Sequence, residues 1–174
     1  MKNKYTQLIQ PACSLLNSKP LLHWADLGCG NGVFTETLAT FLPKGSSITA
    51  IDKYAQQLPK TFANSVNIDF KKGDFEKDNL PLERLDGILM ANAFHFIQEK
   101  EKLILKLENY FHSNPLFLMV EYDQNQSNKW VPFPIPFREL KKLFQQLNYT
   151  IIEKFGEQKS VYGGSMYACY VSKN

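Results

Sequence analysis

The chain contains 174 residues, of which 44% are hydrophobic, and its 20 basic and 17 acidic side chains give a formal net charge of +3. This length suits a single domain over residues 1–174, and the composition excludes collagen-like, coiled-coil and disordered proteins. Three cysteines without a CxxC pair argue against a disulfide framework and a zinc cluster. No apolar stretch has the length of a signal peptide core or a membrane span. We therefore expect a soluble cytoplasmic protein with no metal site.

The N-terminal quarter predicts two strands and two helices in alternation. A helix around Lys4–Asn17 precedes a mostly apolar run over Leu21–Leu27, which we predict to be a buried strand. Gly32–Leu42 has the pattern of a helix, which Pro43 ends. A short strand is predicted over Ser47–Ile51.

The next elements are a helix and two strands. A helix is predicted over Lys53–Asn64, although Pro59 can kink or shorten it. Val66–Lys72 alternates apolar and polar residues and is predicted to be a strand, and Asp86–Ala91 forms a second apolar run. The connection between these strands, Gly73–Leu85, does not predict a helix.

The remainder of the chain predicts two helices and three strands. Glu99–His112 carries apolar residues at helical spacing, and Pro115–Glu121 is apolar enough to be a central strand. Phe137–Leu147 is amphipathic and is predicted to be a helix. Tyr149–Phe155 and Met166–Ser172 alternate as strands do, and only a loop joins them.

Strands separated by helices predict parallel pairing. The fold class is therefore α/β, a Rossmann-like doubly wound sheet of seven mostly parallel strands with helices on both faces. Because the last two strands lack an intervening helix, we expect the last strand to run antiparallel. Ligands of such sheets bind at the carboxyl ends of strands where the strand order reverses.

The first strand ends in the sequence ADLGCGNG, residues 25–32. Glycines at alternate positions let the backbone turn sharply and approach a ligand without a β-carbon in the way. A helix beginning near Gly32 would direct free N–H groups at that ligand. A dinucleotide site requires G-x-G-x-x-G, and the third glycine would fall on Val33, which disfavours that ligand. A purely structural turn is the other alternative.

The glycines at 28, 30 and 32, with Asp26 before them, resemble the acidic-x-G-x-G-x-G motif of class I S-adenosylmethionine-dependent methyltransferases, in particular those that act on small molecules. The resemblance covers nearly the whole chain, but this first motif is its specific part. It implies a methyltransferase with S-adenosylmethionine as cofactor and S-adenosylhomocysteine as product. It also implies that the turn binds the cofactor through Asp26, Gly28, Cys29, Gly30, Asn31 and Gly32.

The resemblance assigns cofactor contacts on two further strands. Asp52 ends the second strand, where the family's acid accepts hydrogen bonds from the ribose hydroxyls, and Lys53 follows it. Asp52 could instead cap the helix predicted after it. Asp74 and Phe75 follow the third strand and correspond to the adenine contacts of the family, although a simple Gly-Asp turn explains the same residues.

The fourth and fifth strands end in residues suited to the reacting part of the site. The resemblance places Asn92 and Ala93 beside the methionine part of the cofactor, and His95 near the transferred methyl group as the catalytic candidate. Alternatively, His95 packs under the next helix. Glu121 and Asp123 end the fifth strand and could contact a substrate or cap the loop.

A proline-rich segment, residues 128–138, follows the fifth strand, where this family tends to build its substrate cover. Such a segment is stiff and extended. We hypothesise that it lines an apolar acceptor pocket, with three aromatic residues and two polar ones as substrate contacts: Trp130, Phe133, Phe137, Tyr122 and Arg138. The alternative is a structural strap that packs its aromatic rings into the core.

We expect a small-molecule acceptor. Residues 92–95 lack the prolines of the [D/N]-P-P-[Y/F] motif of DNA amino-methyltransferases, and the slight basic excess argues against a nucleic-acid partner. An RNA or protein acceptor, and a cofactor-binding module without catalysis, remain alternatives. The sequence leaves open whether the protein is a monomer or a homodimer, and whether an N-terminal helix within residues 1–18 covers the site.

Overall fold

The computed structural model of the protein describes residues 2–12, 16, 20–62, 64–159 and 164–173. The strands are β1 His23–Leu27, β2 Ser47–Asp52, β3 Asn67–Lys72, β4 Gly87–Ala91, β5 Leu116–Tyr122, β6 Ile151–Lys159 and β7 Ser165–Ser172. The α-helices of these residues are α1 Lys2–Ile9, α2 Val33–Ala39, α3 Lys100–Glu108 and α4 Phe137–Gln146. No helix within the described ranges has the length and apolarity to cross a membrane.

One sheet contains all seven strands, in the order β3-β2-β1-β4-β5-β7-β6. Neighbouring strands are parallel from β3 to β5, whereas β7 runs antiparallel to both β5 and β6. The predicted doubly wound α/β fold with an antiparallel last strand is thus confirmed. The strand order reverses between β1 and β4, so a crevice lies at the carboxyl ends of these two strands.

Helices cover both faces of the sheet. Successive residues of a strand point to opposite faces, and β4 shows this clearly. Ile88 and Met90 belong to the apolar layer that includes α3 and α4, whereas Leu89 belongs to the layer that includes α1 and α2. Because both faces are filled in this way, the carboxyl edge of the sheet is the part left for a ligand.

The predicted helix over Lys53–Asn64 is wrong. The described residues of this range form an extended loop between β2 and β3. Pro59 lies in the middle of the range, where it removes a backbone donor and clashes with the preceding helical turn. The loop instead brings the Leu58 side chain onto Gly32, at the start of α2.

The N-terminal helix is shorter than the predicted Lys4–Asn17. Helix α1 ends at Ile9, and the 3-10 turn Gln10–Ala12, which contains a proline, follows it. Predicted residues 13–15 and 17 lie outside the described ranges. The helix packs against α2 and β6, and the Tyr5 ring lies 4.8 Å from the Phe34 ring. Helix α1 therefore belongs to one covered face of the sheet.

Candidate active site

The turn after β1 has three glycines with left-handed backbone angles, at φ +77° for Gly28, +50° for Gly30 and +79° for Gly32. A β-carbon on Gly28 would lie 2.6 Å from the Ala93 β-carbon, and one on Gly32 would meet Leu58. No atom of the described residues lies within 4 Å of the corresponding position on Gly30. Protein atoms therefore pack against the two outer glycines, and the central one faces open space.

The acid that ends β2 lies against this turn. Oδ2 of Asp52 accepts a hydrogen bond from the Gly30 N–H at 2.9 Å, and Oδ1 accepts one from the Tyr54 N–H at 2.9 Å. No helix follows Asp52 among the described residues, so its alternative role as a helix cap does not apply. A carboxylate offers about four acceptor positions, and Asp52 retains acceptor capacity for hydroxyl groups.

Asp26 lies beneath the turn and is 1% exposed. Its Oδ2 accepts a hydrogen bond from the Thr35 hydroxyl at 2.5 Å, whereas Oδ1 is buried and has no hydrogen-bond partner in the part of the chain that the structure describes. Burial raises the pKa of this carboxyl to about 7, and the nearby Asp52 also raises it, although the Thr35 hydrogen bond opposes them. Burial, Asp26 and Asp52 likewise raise the pKa of the Cys29 thiol, so Cys29 stays neutral.

The loop after β3 also reaches the glycine turn. Cε1 of Phe75 lies 3.4 Å from the position of a β-carbon on Gly28. The Lys106 ammonium holds this loop in place, since it donates to the carbonyl oxygens of Phe75 at 3.1 Å and Asp78 at 2.5 Å. Asp74 accepts a hydrogen bond from the Glu76 N–H at 3.0 Å and thereby shapes the turn.

The remaining predicted cofactor residues lie either on the protein surface or at the carboxyl edge of the sheet. Asn31 and Lys53 are exposed, and the Lys53 ammonium lies over the Tyr54 ring. Asn92 directly follows β4 with φ +54°, and its buried side-chain oxygen has no hydrogen-bond partner among the described residues. An unpaired buried oxygen favours a donor group from a ligand.

These residues fit a nucleoside that carries an amino acid. The open side of Gly30 provides space, the Asp52 carboxylate provides acceptors, and the Phe75 ring lies beside Gly28. The unpaired oxygen of Asn92 suits an ammonium group.

A cavity of about 340 Å³ lies at the carboxyl ends of β4 and β5. Its lining combines aromatic rings, side-chain amides and one aliphatic residue: Asn92, His95, Phe96, Tyr122, Gln124, Asn128, Trp130 and Val131. Asn92 therefore lines this cavity, while its neighbour Ala93 contacts the glycine turn. The two parts of the site share one short segment.

Some of the predicted substrate contacts line the cavity, and others lie outside its lining. Tyr122 and Trp130 line the cavity, together with His95. The Phe137 ring packs 5.5 Å from the Tyr167 ring, and Arg138 pairs with Glu139 at the surface.

Phe133 lies outside the cavity lining and is 38% exposed. Its N–H donates to the His95 carbonyl at 3.0 Å, so its backbone supports the cavity wall. Asp123 accepts a hydrogen bond from the Phe137 N–H at 3.1 Å, at the start of α4, and pairs with Lys154 at 3.2 Å.

Four lining residues were not among the sequence candidates: Phe96, Gln124, Asn128 and Val131. Phe96 follows His95 directly and is 52% exposed, and its ring lies 4.3 Å from the His95 ring. The sequence signal that could have identified Phe96 is an aromatic residue just beyond the end of a buried strand. Gln124 follows β5, and only the position of the strand end pointed to it.

Comparison with protein families matches a sequence model described as "Methyltransferase domain" to residues 25–110. The matched range begins just before the glycine turn and ends after α3. No curated protein sequence matches the chain at a significant level.

Solved structures of similar fold cover almost the whole chain. The YcgJ protein from Bacillus subtilis has a TM-score of 0.70 at 9% identity, and the alignment covers 99% of each chain. A SAM-dependent methyltransferase from Aquifex aeolicus has a TM-score of 0.62 at 16% identity, over 100% of this chain and 99% of that one.

A third solved structure is 1,6-didemethyltoxoflavin-N1-methyltransferase from Burkholderia thailandensis, with bound 1,6-didemethyltoxoflavin and S-adenosylhomocysteine. It has a TM-score of 0.68 at 17% identity, over 96% of this chain and 78% of that one. At these identities the structural likeness shows the fold.

The buried carboxyl of Asp26 predicts a pH-dependent stability. An unfolded chain releases this proton near its ordinary pKa of 3.8, whereas the folded chain retains it up to about pH 7. The folded state thus binds more protons between these values, and its stability falls as the pH rises through them. We expect wild type to lose about 2 kcal/mol relative to Asp26→Asn between pH 5 and pH 7, measured by urea unfolding. Equal pH slopes in the two proteins would contradict this assignment.

Proposed function

We propose that the chain, whose residues 25–110 match a methyltransferase family model, is an S-adenosylmethionine-dependent methyltransferase that methylates a small-molecule acceptor bound in the cavity beside His95. The observation that carries the proposal is the segment that the two binding regions share. Ala93 contacts Gly28 of the cofactor turn, and Asn92 and His95 line the cavity. An acceptor there would lie next to the methionine end of the cofactor.

The protein's contribution to such a reaction is position and a dry environment. The bound cofactor supplies an electrophilic methyl group on a sulfonium centre. Gly30 would leave space for it, the Asp52 carboxylate would accept hydrogen bonds from its ribose, and the Asn92 oxygen would accept from its ammonium group. Holding acceptor and methyl group in line supplies a large part of the rate enhancement.

The size and chemistry of the cavity favour a small acceptor. Its volume of about 340 Å³ falls within the range of small-molecule sites. The solved structures of similar fold include methyltransferases in complex with 1,6-didemethyltoxoflavin and with a pentazolic desmethylPZN analog. An RNA or protein acceptor has no comparable observation in its favour.

The first experiment is calorimetry with S-adenosylmethionine, followed by measurement of S-adenosylhomocysteine release in the presence of phenols, azoles and amines. Binding followed by release with one of these classes supports the proposal. The protein could instead bind S-adenosylmethionine and release S-adenosylhomocysteine only when RNA or peptides are added. That result would show that the acceptor is RNA or protein and not a small molecule. Binding without release under any of these conditions would favour a cofactor-binding module.

Gly30→Ala tests the cofactor turn. The new β-carbon would enter the open space that we assign to the cofactor, and φ +50° adds strain of about 1–2 kcal/mol. We expect the affinity for S-adenosylmethionine, measured by calorimetry, to fall at least about tenfold, which is about 1.4 kcal/mol. Gly45→Ala is the control, since Gly45 also has a left-handed φ of +84° but lies outside the turn. Equal affinities in the two variants would contradict the assignment.

Trp130→Ala tests the acceptor cavity. Trp130 is 64% exposed, so its truncation should leave the fold and the cofactor affinity unchanged. Because the ring lines the cavity, we expect KM for the acceptor to rise about tenfold or more in steady-state kinetics. Phe133→Ala is a control from the same segment, because Phe133 lies outside the lining. A Trp130 variant that unfolds would instead indicate a structural strap.

A further inference from the structure

A buried carboxylate lies directly behind His95. The His95 Nδ1 atom is 2.8 Å from Oε2 of Glu121, and the side chains are 3% and 0% exposed. Oε1 of Glu121 accepts hydrogen bonds from the N–H groups of Phe94 at 2.8 Å and His95 at 3.1 Å, and Oε2 accepts one from the Tyr122 N–H at 3.3 Å. Because backbone N–H groups only donate, both carboxylate oxygens act as acceptors. When Glu121 is ionised, the proton of the His95–Glu121 hydrogen bond lies on Nδ1.

An ionised Glu121 selects one tautomer of His95. When Nδ1 carries the proton, the other ring nitrogen, Nε2, is an acceptor. No residue in the described ranges makes a hydrogen bond to Nε2, and the His95 side chain lines the cavity. A carboxylate that orients an imidazole in this way also stabilises the imidazolium that forms when Nε2 takes a proton.

The rest of the cavity suits a planar, uncharged molecule. Phe96, Tyr122 and Trp130 contribute aromatic rings, and Phe96 and Trp130 are more than half exposed. Asn92, Gln124 and Asn128 contribute side-chain amides. Within the described lining there is no lysine, arginine or carboxylate side chain, so a charged acceptor would lack a counter-charge there.

Three other ionisable groups interact electrostatically with Glu121: Lys100 on α3, and Tyr167 and Cys169 on β7. Burial raises the pKa values of Tyr167 and Cys169 well above their usual range, so both remain neutral. Burial lowers the pKa of Lys100 to about 8, and its Nζ donates to the carbonyl oxygens of Ile97 at 2.6 Å and Phe133 at 2.8 Å. None of the three lines the cavity.

We infer that His95 and Glu121 form a base dyad for an aromatic acceptor that carries an ionisable O–H or N–H group. This inference rests on the proposed methyl transfer. His95 is the catalytic residue, because its Nε2 atom meets the acceptor, and Glu121 is its positioning residue. Nε2 takes the acceptor's proton while the acceptor's lone pair forms the bond to the methyl carbon. The carbon–sulfur bond breaks, its electrons remain on sulfur, and the imidazolium later releases the proton to water.

The dyad can be tested without turnover, with 4-nitrophenol as the probe. This planar phenol absorbs visible light when it ionises, so its apparent pKa can be read by titration in the presence of the protein. We expect wild type to lower the pKa of the bound probe by about one unit or more. Glu121→Gln would present an amide N–H to Nδ1, shift the proton to Nε2 and abolish the effect. His95→Gln should abolish it as well.

Three controls separate this effect from unfolding. Glu121→Asp keeps the carboxylate and should retain part of the shift in the probe pKa that Glu121→Gln abolishes. Glu153→Gln makes the same chemical change on the exposed part of β6 and should leave the shift unchanged. Circular dichroism melts and S-adenosylmethionine affinity report the integrity of each variant. A bound probe with the same pKa in wild type and Glu121→Gln overturns the dyad.

The pH profile of turnover supplies the second readout. With an acceptor that carries an O–H or N–H group and that wild type methylates, we expect Glu121→Gln and His95→Gln to lower kcat about 100- to 10,000-fold with little change in KM. The loss should shrink as the pH passes the acceptor's own pKa, since an ionised acceptor needs no base. A variant that keeps the wild-type kcat and pH profile overturns the inference.

The two readouts distinguish this inference from the proposed function. Release of S-adenosylhomocysteine by wild type, without ionisation of the probe, overturns the dyad and leaves methyl transfer standing. Ionisation of the probe that depends on Glu121, without release from any acceptor, supports the dyad and counts against the proposed function.

Discussion

The close contact between Gly28 and Ala93 is the constraint on which the site depends. Gly28 follows the first strand of the sheet and Ala93 follows the fourth, at the point where the strand order reverses. A β-carbon on Gly28 would lie 2.6 Å from that of Ala93, so only a glycine allows the two segments to meet. The contact brings the cofactor turn next to the segment that opens into the acceptor cavity.

Glu121 provides the corresponding constraint on the other side of the cavity. Its buried carboxylate binds the backbone of Phe94 and His95 and the ring of His95. A buried carboxylate is stable only when its oxygens are satisfied, and here the segment after β4 satisfies them. One side chain thus links β5 to the residues that face the acceptor, and positions the imidazole at the same time. The proposed acceptor binding and proton transfer therefore depend on the same buried interaction.

The fold was largely predictable from local patterns, because strands, helices and the glycine turn each leave a short-range signal. The loop between β2 and β3 was not predictable in this way. Residues 53–64 have an apparent helical pattern, but Pro59 prevents a helix there. Within the site, the turn was predictable from its glycine motif, whereas the roles of Asp52 and His95 came from the family resemblance and stay predictions. The proline-rich segment was harder, because the direction of its side chains depends on tertiary packing. Val131 and Ile135 enter the core on opposite faces of the sheet, and this leaves Trp130 at the cavity and turns Phe137 towards Tyr167.

The most direct test is a crystal structure of the protein with S-adenosylhomocysteine. The account predicts that the adenosine lies over the open side of Gly30 with its ribose hydroxyls on Asp52, and that the ammonium group meets the side-chain oxygen of Asn92. The sulfur should then point into the cavity that His95, Tyr122 and Trp130 line. A ligand bound elsewhere, or one whose sulfur faces away from His95, would contradict the account.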